Sequence, residues 1–449
     1  VVGEPLRVDR DNLNQVLARL GVGLSLTLPD QEGPPVSLGF QAVEDFHPDH
    51  LLESIEFLRP LREAHRRLNS PATFRETALE LGLISATEAP TAAPMEETTP
   101  ASTNLLEQVL KRTVAEGSGP SPADTAWQDY LKRIVRPHVH RPDPRQAEVV
   151  AGIEMVLAML LRDLLHHSDF QTLEATWRGV YLLTQRLDTD GPLTIELIDT
   201  TRGELENDLI STTALESTAT YRRLVDETVG TEGGRPWGLL VGDFRFEPTD
   251  HDVALLWRLG QIARLAGAPF VSSAGTRFVG CDQAADLSDP DRWESPPVLE
   301  GWWALRSGDE APYLGLALPR FLLRGAYGAQ TNPVDTFPFE ELSESPSDEE
   351  YLWGNPAFAV ALLVGRAASQ SGWSEFDPEL GDLPVPLERR DGEVVARPCT
   401  EAVLTDRAVD LLLDAGLMPL AAVRDTDFLR LVQLRSVADP PSPLAISGP

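Results

Sequence analysis

Residues 236–246, PWGLLVGDFRF, carry the reading of the fold. Trp237, Leu239, Leu240 and Val241 form a short continuous apolar run, the pattern of a strand covered on both faces rather than one alternating between core and water. Gly242 allows the backbone to turn sharply where that run stops. Asp243 follows, and two readings of its carboxylate stay open. Ligands of open α/β sheets sit beyond strand ends, which makes Asp243 a candidate catalytic group. An aspartate after a glycine is also an ordinary turn former or helix cap.

The flanks extend the pattern. Leu193, Ile195 and Leu197 alternate into a strand that ends near Asp199, and a helix follows from about Arg202. After 237–241 come an apolar-periodic helix at 253–265 and the short run APFVSSA at 268–274. This β-α-β-α-β order predicts an α/β fold with a mixed or parallel sheet and flanking helices. It would also put Asp199 and Asp243 at the ends of two strands of one sheet, a pair that acid–base chemistry could use. The rest of a catalytic apparatus is thin. The chain has no GxGxxG opening a helix, no GxxxxGKS loop, no HExxH, no GxSxG and no CxxC, and His251 is the only histidine after His167.

Composition narrows the class. With 38 basic and 70 acidic residues the net charge is -32, a surface that repels phosphate backbones and anionic membranes and so argues against nucleic acid. No window approaches the roughly 18 consecutive apolar residues of a membrane span, and no basic-then-apolar leader opens the sequence. Two cysteines, Cys281 and Cys399, cannot build a disulfide framework, and a reducing cytoplasm is the expected compartment. Neither a cofactor nor a metal is expected. DFHPDH at 45–50 gathers two histidines and two aspartates, but it has HxxH spacing over a helix start and no second ligand cluster beside it.

Towards the N-terminus a small α+β module is expected over residues 1–84. Leu13, Val16, Leu17 and Leu20 read as an amphipathic helix closed by Gly21, and alternation at 24–28 and 36–40 reads as a β-hairpin. Pro48 and Asp49 suit the first turn of another helix. Residues 85–103, SATEAPTAAPMEETTPAST, offer almost nothing to bury and read as a linker. Within 104–124 a short amphipathic helix is expected, with Leu105, Leu106, Val109 and Leu110 on one face, a pattern that suits docking in a partner's groove as well as packing at home. The large module, 125–449, continues with long helices at about 145–167 and from Phe170 to Thr184. His166 and His167 are placed by this reading at a helix C-terminus, beside its exposed carbonyls. Residues 400–436 read as a helix ended by Gly416 and two strands flanking Arg424 and Asp425.

Taken together, these segments resemble a known pair of proteins. Residues 6–81, with RVDRDNLNQVL, the hairpin and LGFQAVEDFHPDHLL, resemble the small subunit of the type VI secretion contractile sheath (TssB or VipA). Residues 104–436 resemble the large subunit (TssC or VipB) in FQTLEATWRGVYLL, GGRPWGLLVGDFRF, APFVSSA, LALPRFLLRGAYG, EEYLWGNPAFAVALL and TDRAVDLLLDAGLMPL, in that order. The resemblance implies a structural, non-catalytic protein of the bacterial cytoplasm that assembles helically around an inner tube of Hcp on a baseplate. It further implies recycling by the AAA+ unfoldase ClpV through an N-terminal helix of the large subunit, here Leu105, Leu106, Val109 and Leu110. Asp243, with Gly242, then reads as a structural turn. Departures from the family are plain. One chain carries both halves, which fixes their ratio and sets a local concentration on the order of millimolar. The sequence opens at VVG within the region of an interlacing family strand, and large subunits continue past the segment matching 400–436.

Overall fold

A computed structural model describes residues 3–28, 35–84, 143–297, 299–369, 376–390, 393–423 and 426–446. They fall into two compact units, one of Val1–Ile55 with Leu160–Pro449 and the other of Glu56–Met159. These units cut across a division at residue 84, because the first 55 residues belong with the large module.

The larger unit is built on a six-stranded sheet. Strand β5, Leu240–Phe246, pairs in parallel with β6, Phe270–Ala274; β6 pairs in parallel with β7, Leu314–Leu318; and β7 lies parallel to β13, Met418–Ala422. Two antiparallel strands, β14 (Leu429–Leu431) and β10 (Glu379–Leu380), complete the order β10-β14-β13-β7-β6-β5. Every residue of β6 and β7 is buried, which requires cover on both faces and explains the apolar run of β7 and the absence of charge from β6. Two helices, Asp250–Ala266 and Pro356–Ser369, pack on these strands. The first is capped by Thr249, whose hydroxyl accepts from the Asp252 amide, and ends at Gly267 in the left-handed region. The predicted α/β class with a mixed sheet is therefore the observed one.

Numbered in chain order, the other elements frame this sheet. The N-terminal segment supplies β1 (Leu6–Val8), α1 (Leu13–Leu20), the hairpin β2 (Gly23–Leu26) and β3 (Val36–Gly39), and α2 (Pro48–Ser54). Helix α1 ends at Gly21 with φ 63°, as its sequence suggested. Helices α3 (Arg59–Asn69), α4 (Phe74–Glu80) and the start of α5 (Gln146–Leu165) form the second unit around Leu68, Phe74, Ala78 and Val150, where Gln146 Nε2 donates to the Leu68 carbonyl at 2.7 Å. In the larger unit follow α6 (Ser168–Arg186), β4 (Ile195–Leu197), α7 (Arg202–Leu209), the α8 helix at Asp250–Ala266, α9 (Glu300–Arg306), β8 (Phe321–Leu322), β9 (Trp353–Gly354), the α10 helix at Pro356–Ser369, β11 (Leu387–Arg390), β12 (Glu393–Ala396) and α11 (Asp406–Asp414). Past α11, Gly416 at φ 82° leads into β13, so the helix-glycine-strand-strand reading of 400–436 holds.

Two expectations fail here. Strand β4 is absent from the large sheet and pairs antiparallel with β1, Leu6 opposite Leu197 and Val8 opposite Ile195. Asp199 and Asp243 therefore do not end strands of one sheet. Gly242 and Asp243, moreover, form no turn: β5 runs through them to Phe246, with a register shift against β6 between Val241 and Arg245.

Candidate functional site

The irregularity in β5 has a physical cause. A Cβ on Gly242 would lie 2.4 Å from the Phe270 ring, so glycine is needed for close packing and not for a positive φ. The Ser272 hydroxyl ties the distorted backbone together through the Gly242 and Phe244 carbonyls, at 2.9 and 2.8 Å. Asp243 then projects from the bulge beside α6, where Thr176 Oγ1 donates to its carboxylate at 2.5 Å. Its side chain reaches solvent, yet the protein crowded around it raises the carboxyl above the ordinary range, opposed by hydrogen bonds from Thr176 and Asn355. Among the described residues no charged side chain figures in the influences on it, and Asp199 follows β4, beyond the β1–β4 ladder. A recess of about 230 Å³, lined by Thr194, Glu196, Arg223, Glu227 and Trp237 among others, does not include Asp243. Among the described residues no three His, Cys, Asp or Glu side chains are grouped to hold a metal ion. The predicted partner-binding residues Leu105, Leu106, Val109 and Leu110 lie outside the described residues.

Charge is concentrated elsewhere, at the seam where residues 3–55 join the large module. Glu174 sits on the buried face of α6 between Phe170 and Trp177 and has no exposed surface. Arg324 reaches it with Nε at 2.7 Å and Nη2 at 3.2 Å, and the other side of the same guanidinium grips Glu341 at 2.7 and 2.9 Å. Arg178 adds a bond to Glu174 at 2.6 Å and donates to the Tyr327 hydroxyl at 3.0 Å. The Tyr327 amide donates to Glu341 at 2.7 Å, and its ring lies 4.2 Å from the Arg324 guanidinium carbon. Two carboxylates and two guanidinium groups thus balance one another, with Glu174, Arg324 and Glu341 buried and Arg178 partly exposed. Burial alone would raise Glu174 and lower Arg324, but Arg324 and Arg178 hold the Glu174 carboxyl below its usual range, while Glu174 and Glu341 hold Arg324 well above. The Tyr327 phenol, buried, is pushed up to about 12.

The N-terminal segment closes over this cluster. The His47 ring stands edge-on to Tyr327 with centroids 4.9 Å apart. Phe40 and Phe46 stack at 4.2 Å, and both meet Phe170 of α6 edge-on. Asp49, in the first turn of α2, accepts from the Asp335 and Thr336 amides at 3.0 Å each and from the Thr336 hydroxyl at 2.6 Å. Together with the β1–β4 ladder these contacts make the first 55 residues an integral layer of the larger unit.

Two consecutive stretches of the chain match known families. Residues 3–74 match the type VI secretion system VipA family (VipA, VC_A0107 or Hcp2), and residues 147–438 match the VipB family, described as EvpB/VC_A0108, tail sheath N-terminal domain. The chain belongs to the type VI secretion sheath family. Both subunit types are represented in it, so it is a TssB–TssC fusion. Among curated relatives it is 33% identical over 304 residues to the type VI secretion system sheath protein TssC1 of Pseudomonas aeruginosa, an alignment covering 65% of this chain and 61% of that protein.

Sequence reasoning about this sheath protein missed the seam. Its one usable signal was Glu174, an acidic residue on a helix face otherwise marked by Phe170, Val180 and Trp177, where a charge implies a buried partner. Arg324 and Glu341 gave no such signal, since neither sets a charge against an apolar helical stripe. The two histidines do follow the C-terminus of α5, but their rings serve other partners: His167 caps the start of α6, where its Nδ1 accepts from the Asp169 amide at 3.2 Å, and the His166 ring faces Glu341 rather than helix carbonyls.

Proposed function

We propose that the chain is a fused protomer of a type VI contractile sheath, polymerising helically around an inner tube of the Hcp type and driving it through the envelope when the sheath contracts. The occurrence of both subunit families, in order, on one chain is the observation that carries this reading. The integration of residues 3–55 with the large module supports it, since one polypeptide then supplies a ready-made small–large pair. In this reading residues 1–84 serve as the small-subunit part, 85–103 as the tether, 104–124 as the unfoldase-recognition helix and its spacer, and 125–449 as the large-subunit part. The protein acts in the bacterial cytoplasm, docked on a baseplate, with no catalytic step of its own. Energy comes from the difference between extended and contracted packings.

Electron microscopy of the full-length protein co-expressed with its tube protein tests the proposal. Helical cylinders are expected; monodisperse monomers alone would overturn it. The recycling partner is tested separately. Leu106→Asp with Leu110→Asp is expected to abolish capture by a ClpV-type ATPase while cylinders still form, and unchanged ATP-dependent disassembly would remove the assignment of that helix.

A further inference from the structure

The seam holds two histidines whose surroundings demand an uncharged ring. His47 caps α2: its Nδ1 accepts from the Asp49 amide at 3.3 Å, so that nitrogen must carry no proton. The same Nδ1 lies 3.5 Å from Asp49 Oδ2, the oxygen that receives the Asp335 amide. His166 is half-buried, and its Nε2, itself shielded from solvent, has no hydrogen-bond partner and lies 3.9 Å from Glu341 Oε1, whose carboxylate is already engaged by Arg324 and the Tyr327 amide. His65 and His251 differ, since each has a carboxylate directly on its Nε2, Glu154 at 3.0 Å and Glu206 at 3.2 Å.

We propose that His47 and His166 make this seam an acid-labile joint, in which protonation releases the grip of residues 47–54 on residues 335–336. Protonated His47 can no longer accept the Asp49 amide. Its Nδ1–H instead donates to the Asp49 carboxylate and competes with Asp335 and Thr336 for it. Protonated His166 places a new donor against Glu341 and draws that carboxylate from Arg324, which leaves the Glu174 side of the cluster unbalanced. The groups that face the two rings set the direction. Around His47 stand Asp49, which favours the proton, and His50, Arg178 and Arg324, which oppose it; around His166, Glu341 and Glu350 favour it, while Arg324 and Arg162 oppose it. Burial is the largest influence on both and also opposes charge, so both rings titrate below the ordinary histidine range. The unfolded chain therefore binds more protons just below pH 6.5, and stability that is complete above that pH is lost as it falls.

Hydrogen exchange on the intact protein at pH 5.5 and 7.5, corrected for intrinsic rates, reads the joint without any variant. Amides of α2 and of Asp335 and Thr336 are expected to lose about tenfold or more of their protection at the lower pH, while those of β6 and β7 keep theirs. Equal protection at both pH values would overturn the proposal. In denaturant titrations each ring contributes at most about a tenfold change in the folding equilibrium per pH unit. His47→Asn with His166→Gln is expected to flatten the limb between pH 6.5 and 5; a limb as steep as that of the wild type would equally overturn it.

Discussion

Asp243 and Glu174 are carboxylates on neighbouring elements, β5 and α6, and they are treated in opposite ways. Asp243 sits on a bulge at the sheet edge, open to solvent on one side, with a hydroxyl and an amide for company. Glu174 has no solvent contact and two guanidinium partners. A carboxylate that keeps access to water can do without a cation, whereas one removed from it must be matched charge for charge. The seam is for that reason the more fragile of the two regions, although the strand carries the more legible sequence.

Arg324 is the point at which the comparison breaks most visibly. Replacing it by Met leaves Glu174 and Glu341 buried with half their partners gone, at a cost of about 3–5 kcal/mol. The denaturation midpoint should fall accordingly, with loss of the native contacts of residues 47–54. A quadruple variant, Glu174→Gln, Arg178→Met, Arg324→Met and Glu341→Gln, should recover a large part of that loss because all four charges of the cluster are removed together. If Arg324→Met alone costs under about 1 kcal/mol, the cluster is better hydrated than its geometry implies.

On the strand side the sharpest probe is Gly242. With Phe270 occupying the place of a Cβ, Gly242→Ala should destabilise by about 1–3 kcal/mol through overpacking, and Phe270→Leu in the same chain should relieve part of it. A turn glycine with positive φ would instead show no rescue from a change at 270. The distinction matters because PWGLLVGDFRF was legible as a strand but not in its details. Apolar content located β5 and β6, apolar periodicity located α8, and closing glycines located the ends of α1 and α11, since these are local properties. The end of β5 was misplaced because a bulge needs a partner strand to define it. The pairing of β4 was misplaced because a residue far away in sequence, Leu6, is what it pairs with. The seam was illegible for the same reason: Glu174, Arg324 and Glu341 come from three separate segments, and only Glu174 contradicts its local pattern.

Asp243 itself should give the smallest effect and the one with the most informative sign. Its carboxyl is held above the ordinary aspartate range, so the folded state favours the protonated form, and the stability this brings is present in acid and lost as pH rises through the raised value. At neutral pH the ionised group is a modest burden, reduced by its contact with water. Asp243→Asn removes the charge, keeps an oxygen to accept from Thr176, and is expected to leave stability at pH 7 unchanged or raised by less than about 1 kcal/mol. Denaturant titrations of the two proteins at pH 4 and pH 7 should therefore converge in acid and separate slightly at neutrality, with the variant on top. A clear loss at pH 7 would mean that the anion is what the bulge is built to hold, and the contrast with Glu174 would then be one of partner type, hydroxyl and amide against guanidinium, rather than of access to water.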